Sequence, residues 1–218
     1  MSALKLVIAN KAYSSWSLRP WILLTHFGVP FEEIVVPLHS PETRARLLSF
    51  GPTAKAPVLI DGEVTVWESL AILEYLAETM PHLPIWPREV LPRALARSLC
   101  AEMHAGFAAL RQHCPTQFLR PVRGRKLTPV VAADVARAEN AWRNARGLYG
   151  ADGPFLFGAF SAADAMFAPV VNRLHIYDVP VAPDTRDYMD AVMALAAWKA
   201  WIAGAEAEPW RNPEYDAI

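Results

Sequence analysis

The first eighty or so residues alternate in a set order, and that order limits the fold more than any other feature of the chain. LKLVIA (4–9) is a short apolar run of strand type. SLRPWILLTHFG (17–28) has helical spacing and stops at Gly28. Pro20 fits a helix only in its first turn, so the helix is expected to start near Ser17 or a little earlier. FEEIVVPL (31–38) is strand-like through its β-branched residues. SPETRARLLSF (40–50) predicts a helix with Ser40 as N-cap and Pro41 at the first helical position. PVLI and EVTVW flank Asp61–Gly62, which is a hairpin signal. ESLAILEYLAETM (68–80) keeps its apolar residues mostly on one side and predicts an amphipathic helix. The order β-α-β-α-β-β-α predicts a small α/β layer of thioredoxin-like type over residues 1–80.

Past residue 80 the character changes. PHLPIWPREVLP (81–92) holds four prolines and reads as a linker. Strand signals then vanish. Segments 93–113, 130–150, 161–177 and 185–205 carry helical spacing rich in alanine and leucine, so residues 93–218 are expected to form an all-α domain. Ser161 three residues before Asp164 resembles a capping box, and Pro169 should kink the helix that follows. The tail EPWRNPEYDAI (208–218) is expected to be irregular and packed back by Trp210 and Tyr215.

Charge and cysteine content narrow the function classes. Lys and Arg number 21 against 22 Asp and Glu, a net charge of -1, which argues against a nucleic-acid partner. The cluster Arg120, Arg123, Arg125, Lys126 reads as a solvated inter-helix loop rather than an anion site. Cys100 and Cys114 form no CxxC and no metal pattern with the histidines, so reduced thiols, a cytoplasmic location and no metal are expected. The N-terminus lacks the pattern of a signal peptide, and no apolar run approaches the ~20 residues of a membrane span.

Chemistry is expected where the first strand meets the first helix. Redox proteins of this architecture carry CxxC there; this chain has Tyr13-Ser14-Ser15-Trp16-Ser17. A helix N-terminus offers free N–H donors and partial positive charge. The serines either cap the helix or add a hydroxyl donor to an anion held there, such as a thiolate brought by a ligand. In Lys55-Ala56-Pro57-Val58, Pro57 is a candidate cis residue that would leave the Val58 backbone free to pair with an extended peptide, or else an ordinary strand start. Glu68-Ser69 opens another helix, where Ser69 either caps or holds a carboxylate. Together these describe a site for a small, doubly anionic peptide thiol.

APVLIDG, WESLAILEYLAE and SAADAMFAP, with SSWSLRPW, make the chain resemble the soluble glutathione transferases over nearly its whole length. SSWSLRPW is similar to the SSxSxR segment of the zeta class, which includes maleylacetoacetate isomerases; Trp16 and Pro20 depart from that pattern. The resemblance implies a thioredoxin-like domain with a helical bundle domain, a cytoplasmic homodimer, and glutathione as co-substrate. It makes Ser14 the donor to the glutathione sulfur, Ser15 the back-up and Ser17 a cap. Lys55 and His39 fall near the glycyl end, Val58 after cis-Pro57 pairs with the cysteinyl backbone, and Glu68 and Ser69 hold the γ-glutamyl end. A small electrophile would sit between the domains. His104, Phe107 and Arg111 share a helix face by spacing, Tyr13 and Trp16 close the pocket, and Arg173 falls where zeta enzymes bind substrate carboxylates. The activities implied are glutathione transfer or cis–trans isomerisation. A non-catalytic dimerisation or docking module of the same fold is the rival.

Overall fold

The computed structural model describes residues 4–216. Its sheet has the order β2-β1-β3-β4. β1 (Leu4–Ala9) runs parallel to β2 (Phe31–Val36) and antiparallel to β3 (Val58–Asp61). The Asp61–Gly62 turn returns the chain as β4 (Val64–Trp67), and Gly62 has φ 60, the left-handed geometry that such a turn requires. Helices α1 (Ser15–His26), α2 (Thr43–Leu48) and α3 (Ser69–Thr79) complete this layer.

The place of Pro20 in α1 and the start of α2 differ from expectation. α1 begins at Ser15, so Pro20 is its sixth residue and lies beyond the first turn. The helix runs through it and forgoes the bond that a residue-20 N–H would make to the Trp16 carbonyl. α2 begins at Thr43 rather than next to Ser40. There the Thr43 Oγ donates to the Pro37 carbonyl at 2.6 Å and accepts the Ser40 N–H at 3.0 Å, which holds residues 37–43 in a turn.

The helical part starts at Val90, inside the segment expected to be linker. The single helix expected over 93–113 is two, α4 (Val90–Ala105) and α5 (Ala108–His113). A Cβ on Gly106 would meet the Glu102 carbonyl at 2.8 Å, and Phe107 takes φ 54. Asp134 of α6 (Pro129–Tyr149) then accepts the Leu110 N–H at 2.9 Å, satisfying one of the free donors of α5. The helix expected over 185–205 also divides, into α8 (Pro183–Ala194) and α9 (Ala196–Ala207), with Leu195 extended between them.

α7 (Ala162–Ile176) is buried on nearly every side, as a helix that is small or apolar all round must be. It continues through Pro169 as one element. Its capping box forms: Asp164 accepts the Ser161 N–H at 2.9 Å and the Leu156 N–H at 3.0 Å. α1 packs on α7, so one continuous core spans both domains. Lys11 seals this seam. It pairs with Glu33 and lies within 5.7 Å of the Trp21 and Trp201 ring centres. The tail carries a short helical turn, α10 (Pro213–Asp216). Tyr215 packs edge-on to Tyr13, but Trp210 stays exposed, contrary to expectation. Among the described residues no helix is long and apolar enough to cross a membrane.

Candidate active site

A cavity of about 810 Å³ opens where the α/β layer meets the helical domain. The start of α1, the turn before β3, the start of α3 and the α4–α5 region line it, so most of the expected site residues converge there.

Ser14 is the N-cap of α1, and its Oγ accepts the Ser17 N–H at 3.4 Å. The Ser14 and Ser17 hydroxyls are hydrogen-bonded at 2.7 Å, and Ser17 Oγ accepts the Ala9 N–H at 3.0 Å. Ser17 is therefore not the cap; it ties β1 to α1, and Ser14 does the capping. The Ser15 hydroxyl has no hydrogen-bond partner among the described residues, and Ser15 lines the cavity. Ser14 Oγ donates to Ser17 Oγ. Both hydroxyls rotate, and the reversed bond, with Ser17 as donor, turns the Ser14 proton to the cavity and polarises it.

The Ala56–Pro57 peptide is cis, and Lys55, Ala56 and Pro57 line the cavity. Val58 does not. It pairs with Val7 on one side and Trp67 on the other, and its side chain is buried in a small apolar cluster. The backbone left without a sheet partner beside the cavity is that of Ala56, because the ladder begins only after the proline. Glu68 has φ 69 and makes no side-chain cap. The first N–H groups of α3 thus face the cavity beside the buried Ser69 without a capping side chain.

Across the cavity, His104 and Arg111 converge although a break separates their helices. Phe107 does not join them. The left-handed turn swings it into the core, 6% exposed, against Phe167 with ring centres 6.2 Å apart. The focus of convergence is Trp16. The guanidinium carbons of Arg19 and Arg111 lie 3.8 and 4.8 Å from its ring centre. Arg173 lines the cavity from α7, and its Nη1 donates to the carbonyls of Arg111 and Cys114. Arg19 Nη1, Arg173 Nε and Thr116 Oγ are buried without partners. Burial, then the charges of Arg173 and Arg111, pull Arg19 down to about 9; burial and Arg111 pull Arg173 down to about 10. Both stay charged at neutral pH. Among the described residues no carboxylate pairs with any of the three arginines.

The tail supplies a wall that the sequence reading missed. Tyr215 lines the cavity and stands 5.8 Å from the His39 ring, while His39 itself stays off the cavity wall. The Tyr13 hydroxyl is committed to the tail, donating to Asp216 at 2.9 Å and accepting the Asn212 N–H at 2.8 Å, so Tyr13 offers the cavity its ring. Arg19 was also missed. Its signal was a lone charge inside the apolar run of α1. Both cysteines are free and buried, and burial raises both thiols. Among the described residues no group of His, Cys, Asp and Glu side chains could hold a metal.

Comparison with known proteins gives this geometry a family. The chain is 28% identical to maleylacetoacetate isomerase of Rattus norvegicus over 226 residues, covering 100% of this chain and 98% of the relative. It is 39% identical over 111 residues to a probable maleylacetoacetate isomerase of Caenorhabditis elegans, a match spanning about half the length of each. A solved glutathione transferase homolog from Burkholderia, with bound glutathione, superposes with a TM-score of 0.72 at 23% identity, covering 95% of this chain and 100% of that one. That likeness carries the fold. The family model for the Glutathione S-transferase N-terminal domain matches residues 13–79 and that for the C-terminal domain matches 68–204, and the chain belongs to the glutathione S-transferase family.

Proposed function

We propose that the protein is a glutathione transferase in which the Ser14 hydroxyl, at the N-terminus of α1, holds the glutathione sulfur as a thiolate. One observation carries this reading: the hydroxyl chain behind Ser14 ends at a cavity that also holds Ala56–Pro57 and the uncapped start of α3. Glutathione fits these three places in order. Its thiol meets Ser14, with Ser15 as a second donor. Its cysteinyl backbone pairs with Ala56 in place of Val58. Its γ-glutamyl carboxylate meets the N–H groups and hydroxyl of Ser69, with the ammonium on Glu68. Lys55 takes the glycyl carboxylate. The helix terminus and hydroxyl stabilise the anion relative to the thiol, lowering its pKa from about 8.5. The thiolate sulfur then bonds to the electrophilic carbon of the second substrate, which gives up its leaving group or passes the electron pair into a conjugated system.

A second reading shares that first step. Two cations without a carboxylate partner, Arg111 and Arg173, line the cavity, and a third, Arg19, is buried against the Trp16 ring. They favour an acidic second substrate. With a cis-unsaturated diacid, addition, rotation about the new single bond and loss of glutathione give the trans isomer, consistent with the relatives named maleylacetoacetate isomerase.

We also place the protein in the cytoplasm as a homodimer. Free buried thiols suit a reducing compartment. β4 is a sheet edge, and Val64 and Trp67 on it, with Val90 and Leu91 at the start of α4, are exposed apolar residues flanking α3.

The test is a glutathione titration of wild type and Ser14→Ala, following tryptophan fluorescence and thiolate absorbance. A thiolate signal that saturates in wild type and is lost in the variant is the expected result. An unchanged signal in the variant moves the role to Ser15. No binding by wild type removes the enzyme reading and leaves the docking module.

A further inference from the structure

α4 sends one side chain across the cleft onto the half of the site assigned to glutathione. His104 Nε2 lies 3.4 Å from Glu68 Oε2. Its ring meets Trp16 edge-on, with centres 5.2 Å apart. Its other nitrogen, Nδ1, is buried and has no hydrogen-bond partner.

These contacts select a protonation state. A cationic imidazole presents two N–H donors, and each needs an acceptor. Nδ1 has none, so the charged form would bury an unpaired N–H next to two guanidiniums. The neutral tautomer with its proton on Nε2 presents that N–H to the Glu68 carboxylate, a 3.4 Å approach longer than a normal hydrogen bond, and leaves only a lone pair bare at Nδ1. The groups that face the ring agree. Burial lowers its pKa most, Glu68 at the β4–α3 junction opposes, and Arg19 of α1 and Arg111 of α5 lower it further. His104 is a neutral donor at pH 7.

Glu68 depends on that donor. It makes no cap, its side chain is about half exposed at 48%, and no other side chain holds it among the described residues. A carboxylate on a mobile stem loses rotamer freedom when a ligand must order it, and a pre-placed N–H removes part of that loss.

We propose that His104 is a positioning residue for glutathione: its neutral Nε2–H holds one carboxylate oxygen of Glu68 and so aims the other at the α-ammonium of the γ-glutamyl group. The proposal rests on the glutathione reading above. It assigns to the first substrate a residue of the helical domain that spacing alone had given to the second.

The experiment compares wild type, His104→Phe and His104→Gln. The probes are glutathione and glutaryl-cysteinyl-glycine, the same tripeptide without its α-amino group. Binding is read by tryptophan fluorescence, with KM, kcat and thermal unfolding measured alongside. Phe keeps an aromatic ring beside Trp16 and loses the donor; Gln restores an N–H of similar reach. In His104→Phe, glutathione binding should weaken roughly fivefold, the scale of one hydrogen bond. Its kcat at saturating glutathione should stay unchanged, and its preference for glutathione over the analogue should shrink by the same factor. His104→Gln should recover most of both. Equal loss for the two peptides would mark a merely structural role and overturn the proposal. So would unchanged KM and preference in His104→Phe, or a fall in kcat at unchanged KM. A wild type that binds both peptides equally overturns it while the glutathione reading stands; a wild type that binds neither removes both.

Discussion

Ser14 Oγ and Ser17 Oγ stand 2.7 Å apart, and the Ala9 N–H ends the chain behind them at 3.0 Å. The serine that faces the cavity is thus held by one that never reaches it, since Ser17 is fully buried.

Ser17→Ala should therefore act on chemistry without touching a ligand. Ser14 loses the hydroxyl that polarises it, and the pKa of bound glutathione should rise. Activity at neutral pH should fall roughly tenfold and recover partly at higher pH, as expected for loss of one hydrogen bond in a buried network. The Ala9 N–H is left unpaired, so stability should drop by about 1–3 kcal/mol. Thiolate absorbance against pH and urea unfolding check the two effects separately. An unchanged thiolate pKa would leave Ser17 a purely structural link.

Arg173 should discriminate by charge. In Arg173→Gln, kcat/KM for a carboxylated electrophile should fall about tenfold more than for a neutral one, because only the former uses the guanidinium. The carbonyls of Arg111 and Cys114 lose their donor for either substrate, so the ratio between substrates isolates the charge. Equal loss for both substrates would assign Arg173 to packing alone.

Asp164 makes stability depend on pH. Burial raises its carboxyl from 3.8 to about 6, against the opposing hydrogen bonds from Leu156 and Ser161. The folded state then binds more protons than the unfolded state between those values. This group's contribution falls as pH rises through that window and levels off above it. Asp164→Asn should flatten that slope in urea unfolding series. At neutral pH it should also cost about 2 kcal/mol, because Ser161 then meets an amide in place of its acceptor. A slope identical to wild type would assign the titration elsewhere.

Trp67→Glu combined with Leu91→Glu should convert a dimer to a monomer in sedimentation equilibrium. The two residues are 41% and 73% exposed, and a charge on either side of α3 would have to be buried on association. A wild type that sediments as a monomer rules out the homodimer.

The sequence by itself determined most of what depends on neighbours along the chain, the Ser40 cap excepted. The strands, the Asp61–Gly62 hairpin and the Ser161–Asp164 box form where expected, because period, turn chemistry and capping act over two to four residues. The serine cluster, Pro57 and Glu68–Ser69 were legible for the same reason. Only the tertiary structure decided what each residue faces. The 93–113 pattern suits one helix, yet core contact with Phe167 and the Asp134 carboxylate of α6 favour a break at Gly106–Phe107. That break buries Phe107 and brings Arg111 to Trp16. Val58 left the site because two strands pair with it, and Tyr215 joined the site from the far end of the chain. Capping fell to Ser14 in place of Ser17 because a strand amide, Ala9, needed an acceptor eight residues away in sequence. Helix and turn preferences are short-range, whereas satisfying buried donors and filling a shared core are global demands, and those demands arranged the site.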